Sequence, residues 1–167
     1  MMKQIGIIMG SDSDYQVMEE AMEVLRQFGV SFDVIISSAQ RTLERTINWV
    51  KGFEAQGGKL IIAAAGLAAH LPGIVAGATI LPVIGVPMNS GALEGIDALY
   101  SIVQMPTGIP VATVGIGAAR NAALLAVQIL TIQDRALRIK VKDYRSQMLK
   151  DIEAKDEALQ IQLSAVS

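Results

Sequence analysis

A chain of 167 residues with a net charge of −2 has the size of one domain and is long enough to bury a substantial core. The charge balance gives no support for a nucleic-acid surface, and no basic run interleaves with aromatics. With no cysteine, disulfides, thiolate chemistry and cysteine-ligated metal are excluded; one histidine, His70, rules out a histidine-rich metal site but leaves carboxylate-bound magnesium open.

The apolar run Ile5-Gly6-Ile7-Ile8 predicts a strand over residues 4–9, entered at once without a basic-then-apolar signal segment, so the cytoplasm is the expected location. Met9-Gly10-Ser11-Asp12-Ser13-Asp14 follows, and then an amphipathic helix over 13–28 with Val17, Ala21, Leu25 and Phe28 on one face and Gly29 as its stop. This is the pattern of a first βα turn. Gly10 permits a sharp turn, and Ser11 and Ser13 offer hydroxyls and amides at a helix start, where a phosphate can sit. Asp14 would repel a phosphate and suits a cap, a sugar hydroxyl or a substrate nitrogen; Ser13-Asp14-Tyr15-Gln16 also fits a capping box with no ligand at all.

A second strand over 32–37 leads into Ser38-Ala39-Gln40-Arg41-Thr42 and a helix over 43–54 that ends in Gln56-Gly57-Gly58. From Leu60 to Val86 no residue is charged, which superficially suggests a membrane span. Pro72, Pro82 and His70 interrupt the run, and its pattern divides into strand, small-residue helix and strand. Strands are expected over 59–64, 82–86 and 111–115, with helices near 96–103 and from about 119. Alternation at this spacing predicts a doubly wound parallel sheet with helices on both faces. Residues 134–159 are densely charged, with Leu137, Val141, Tyr144, Met148 and Ile152 at helical spacing. The division is therefore an α/β domain over 1–131 and a helical extension over 132–167, the extension packing on a neighbouring subunit of a homo-oligomer.

In such a sheet, ligands bind beyond the carboxyl ends of the strands. Three unusual segments fall there, after the first, second and third strands. Arg41 suits an anion, or equally a surface salt bridge. His70 is either a core histidine bonded to backbone or the one side chain able to titrate near neutral pH.

Met9-Gly10-Ser11-Asp12-Ser13-Asp14, Ser38-Ala39-Gln40-Arg41-Thr42, Ala68-Ala69-His70-Leu71-Pro72-Gly73 and Tyr100-Ser101-Ile102-Val103-Gln104-Met105-Pro106 together resemble the PurE family, the N5-carboxyaminoimidazole ribonucleotide mutases of purine biosynthesis. The resemblance covers residues 4–130 and, at His70-Leu71-Pro72-Gly73, looks like the mutase class rather than the class that uses free CO2. It implies a three-layer α/β/α, flavodoxin-like subunit, usually octameric, and a cofactor-free enzyme with no metal, membrane or nucleic-acid partner. The activity it implies moves a carboxylate from an exocyclic nitrogen to C4 of the imidazole. It also implies that Ser11 and Asp14 hold the substrate, with Gly10, Ser13, Ala39 and Leu67 also at the substrate site, that Ser38 and Arg41 grip its phosphate, and that Gly66, Ala69, His70 and Leu71 line a carboxylate or CO2 pocket.

The chain departs from the family pattern at its chemical centre. Gln40 stands where the family has its acid/base histidine, and an amide carries no proton near neutral pH. Leu43 replaces a proline, Leu67 and Ala64 replace glycines, and the loop near 117–120 is shorter than in many members. Four readings of Gln40 stay open: an introduced substitution, a nucleotide-binding paralog without turnover, an enzyme for a related substrate in which His70 takes the proton, and a slow mutase.

Overall fold

The computed structural model describes residues 3–165; the ends of the two expected domain ranges, residues 1–2 and 166–167, lie outside them. The chain divides after Val127 into two compact units. In the first, β1 (Ile5–Met9), α1 (Tyr15–Phe28), β2 (Phe32–Ile36), α2 (Leu43–Ala55), β3 (Leu60–Ala65), α3 (Leu71–Ala78), β4 (Val83–Pro87), α4 (Ile96–Val103), β5 (Ala112–Thr113) and the greater part of α5 (Ala119–Leu130) alternate as the sequence pattern predicts. The five strands form one parallel sheet in the order β2-β1-β3-β4-β5, the flavodoxin-like arrangement with helices on both faces.

Burial explains the strand sequences. β1, β3 and β4 are covered on both faces and buried at every position, so they read as unbroken apolar runs. β2 lies at an edge and is only partly buried, with Val34 and Ile36 exposed. The alanines at the end of β3 (Ala63, Ala64, Ala65) keep the sheet thin beneath the loops that leave it. Close approach also fixes Gly85 in β4: a Cβ there would stand 2.4 Å from Ile102 Cγ2 of α4 and 2.9 Å from Val111 Cγ1.

Two local expectations change. β5 pairs only over Ala112–Thr113, shorter than the predicted 111–115. The capping box is formed by Ser11 and Asp14 rather than started by Ser13: Ser13 N–H donates to Ser11 Oγ, and Ser11 N–H donates to the Asp14 carboxylate. A 3-10 turn (Asp12–Asp14) therefore precedes α1, because the carboxylate of Asp14 reaches back to Ser11. Gly29, at φ 72°, closes α1 in the left-handed conformation as its position predicts.

The second unit is dominated by α6 (Arg135–Ser164), capped by Asp134, whose carboxylate accepts from Leu137 N–H at 2.8 Å. Leu137 is buried, whereas Met148 and Ile152 of the apolar stripe are exposed. No helix among the described residues is long and apolar enough to cross a membrane. The uncharged stretch from Leu60 to Val86 forms β3, α3 and the start of β4.

Gly85→Ala is expected to overpack the β4–α4 contact and to lower unfolding free energy by about 1–3 kcal/mol. Urea denaturation measures this; an unchanged midpoint would show that α4 yields without cost.

Candidate active site

The strand order reverses between β1 and β3, and the segments leaving β1, β2 and β3 meet at that point. Together they enclose a cavity of about 550 Å³. Its walls are Gly10, Ser11, Ser13 and Asp14 from the first segment, Ser38, Ala39, Gln40 and Arg41 from the second, and residues 65–71 from the third. All thirteen site residues expected from the sequence line this one cavity. A cleft of about 500 Å³ beside Trp49 lies away from the strand carboxyl ends, and within the second unit a cleft of about 600 Å³ runs along residues 131–142.

The second segment is ordered by its own hydroxyls. Ser37 Oγ shares hydrogen bonds with Thr46 at 2.8 Å and Thr42 at 3.0 Å, and Ser38 N–H donates to Thr42 Oγ1 at 2.9 Å. Ser38 Oγ accepts from the backbone N–H groups of Gln40 (3.3 Å) and Arg41 (3.1 Å) and donates to Gln40 Oε1 (3.4 Å). That hydroxyl is thus committed within its own turn. Arg41, expected beside it at an anion, donates through Nη2 to the Gly10 carbonyl at 3.3 Å, tying the second segment to the first. Among the described residues Arg41 forms no ion pair, so the salt-bridge reading falls.

His70 is exposed, which sets aside the core-histidine reading. It precedes α3, where Pro72 stiffens the first turn, and its Nδ1 lies 2.7 Å from Gln40 Nε2. The third segment is bent by two non-glycine residues in the left-handed region, Leu67 (φ 55°) and Ala69 (φ 41°). Each costs about 1–2 kcal/mol. Leu67 lies over Gly91, where a Cβ would come within 2.6 Å of its Cδ2. The floor beneath Gly66 is Ser90, which the sequence reading missed: a Cβ on Gly66 would stand 2.2 Å from Ser90 Oγ. Ser90 Oγ is buried without a hydrogen-bond partner. Its signal in the sequence was its place two residues after Met88, just past β4, the next strand in the sheet.

Three titratable side chains line the cavity: Asp14, Arg41 and His70. Desolvation by burial pushes the Asp14 carboxyl above its ordinary value, and Asp12 nearby adds to this, while hydrogen bonds from Ser11, Ser13 and Gly10 oppose it. A buried carboxylate beside an open cavity costs stability. Among the described residues no cluster of three or more His, Asp or Glu side chains is placed to hold a metal.

The AIR carboxylase family model matches residues 4–151. N5-carboxyaminoimidazole ribonucleotide mutases of Pyrococcus horikoshii and Thermotoga maritima are 54% and 50% identical to this chain, over 93% and 95% of it and 88% and 93% of their own lengths. The mutase of Mycobacterium tuberculosis is 49% identical over 94% of this chain and 90% of its own. The crystal structure of Treponema denticola PurE superposes with a TM-score of 0.87 at 34% identity, covering 94% of this chain and 98% of that one.

Because its folded-state pKa is raised, Asp14 makes stability fall as pH rises from the unfolded carboxyl value through the folded one. Asp14→Asn is therefore expected to gain more stability over the unaltered chain at pH 7 than at pH 3. Urea titrations at the two pH values measure the difference, and an equal effect at both would remove the desolvation argument.

Proposed function

The chain belongs to the AIR carboxylase family, and we propose that it acts as an N5-carboxyaminoimidazole ribonucleotide mutase, an isomerase of purine biosynthesis. The observation that carries this is identity near one half over more than nine-tenths of the chain to proteins of that name, joined to three loops that enclose one cavity.

The reaction asks little of the protein beyond enclosure and one mobile proton. The exocyclic nitrogen takes a proton as its bond to the carboxylate breaks, releasing CO2 and leaving the aminoimidazole. The electron-rich C4 then attacks CO2, and C4 gives up its hydrogen as a proton to restore aromaticity. One proton is lent and returned, so the step balances as an isomerisation. Holding CO2 beside C4 converts a bimolecular capture into a local one.

In this reading Arg41 binds the phosphate by its forked donors, since its Nη2 bond to Gly10 leaves its other N–H groups to a ligand. Ser38 shapes the turn that presents it. Asp14 and Ser11 take ribose hydroxyls or the substrate nitrogen, and the 66–71 segment covers the carboxylate. Gln40 cannot shuttle the proton, so turnover is slow. The exposed apolar stripe Ile96, Tyr100 and Val103 on α4 supports assembly into an oligomer, and we assign the octameric state and a cytoplasmic location to it on the family resemblance.

Gln40→His is expected to raise turnover of N5-carboxyaminoimidazole ribonucleotide by about 10²–10⁴-fold. Rapid turnover by the unaltered chain, with no gain from histidine, would reject the role given to position 40. Tight nucleotide binding without turnover in either protein would favour a binding paralog. Arg41→Ala should weaken binding of the nucleotide far more than of its phosphate-free nucleoside, measured calorimetrically; equal losses would move the phosphate elsewhere.

A further inference from the structure

We propose that in this chain the proton is carried by His70, with Gln40 acting as the positioning residue that fixes which ring nitrogen holds it. This rests on the mutase reading and extends it.

The direction of the hydrogen bonds can be traced from the backbone outward. Ser38 Oγ accepts two backbone N–H groups, from Gln40 and Arg41, so its own proton is directed to Gln40 Oε1. With its oxygen turned to Ser38, the Gln40 amide presents Nε2–H to His70 Nδ1 at 2.7 Å. A nitrogen that accepts a hydrogen bond cannot carry the proton in the neutral ring, so the neutral ring bears its hydrogen on Nε2. The reverse amide orientation would face Ser38 O–H with an NH2 group, donor against donor, and leave that hydroxyl without its acceptor. Position 40 therefore governs the proton of position 70, thirty residues away in sequence, through contacts within the cavity wall.

Among the titratable groups on that wall, the Arg41 guanidinium is tied to the Gly10 carbonyl and the Asp14 carboxyl sits on the first segment with Ser11 and Ser13. His70 is the wall's one imidazole and the only one in the chain. In the cycle the Gln40 amide has turned its oxygen to accept from Nδ1–H: protonated His70 gives the Nε2 proton to the exocyclic nitrogen as the N–C bond breaks, and the neutral Nδ1–H ring that is left takes a proton back on Nε2 from C4. The resting ring, with its hydrogen on Nε2 and Nδ1 accepting from Gln40, enters this cycle only when it is protonated and the amide turns its oxygen toward Nδ1. That reorganisation makes the route slower than a histidine at position 40 would be.

The single histidine makes the test unambiguous, because 15N spectra carry one imidazole. The neutral ring is expected to show a pyrrole-type Nε2 and a pyridine-type Nδ1, with the bias lost in Gln40→Leu and reversed to Nδ1–H in Gln40→Glu. An unbiased ring in the unaltered chain, or one indifferent to position 40, overturns the positioning role. In kinetics, His70→Asn is expected to lose at least 100-fold in kcat with nucleotide binding retained. The same substitution made in Gln40→His is expected to lose far less, since position 40 then carries the proton. A merely structural His70 would depress both backgrounds alike, which would overturn the proposal. Undiminished turnover in His70→Asn overturns it as well and leaves the mutase reading standing. Failure of the unaltered chain and of Gln40→His either to bind the nucleotide or to turn it over would instead refute the mutase reading, and the proton route with it.

Discussion

The arrangement depends on one topological constraint: the chain leaves β1 toward β2 on one side and returns to β3 on the other. At that reversal the helices that follow β1 and β3 cannot close over the strand ends from the same side, so a crevice is left. The candidate site residues are lodged there. The cost of lining it falls on the backbone and on buried polar groups rather than on the sheet. Leu67 and Ala69 are held in the left-handed region, Asp14 is a desolvated carboxylate, and Ser90 Oγ has no partner. Such features persist only where the surrounding structure imposes them, and here they are gathered along one rim.

The sheet beneath is built to be indifferent to those costs. β1, β3 and β4 are wholly buried, and at the carboxyl end of β3 the side chains shrink to alanine, which lets loops approach closely. Gly66 shows how little room remains, since even a methyl group would collide with Ser90. The proposed reaction asks of this cavity a task of confinement more than of acid strength. The hydroxyl ladder of Ser37, Thr42 and Thr46 braces the second segment, so that Gln40 and Arg41 project from a fixed turn.

Much of this was legible in the sequence because period and punctuation point the same way. Alternating apolar runs and glycine stops gave the ten elements of the α/β unit, and the three loop segments were recognisable as a set. What could not be read is informative. Ser13 looked like the start of a capping box, but capping depends on which carboxylate reaches back, and Asp14 chose Ser11. Ser90 carries no motif of its own and gains its place only from the pairing of β4 with β3. The Gln40–His70 contact joins two residues thirty apart, a relation that spacing alone cannot show. Sequence pattern alone treated the two positions as separate questions; the fold makes them one.

The most direct test of the central claim is an NMR titration of the unaltered protein with 4-carboxy-5-aminoimidazole ribonucleotide. Saturable shifts of the backbone amides at 10–14, 38–41 and 66–71, with the His70 ring moving in step, are the predicted result. Shifts confined to the cleft beside Trp49 or to residues 131–142, or none at millimolar ligand, would contradict a nucleotide site at the β1/β3 reversal.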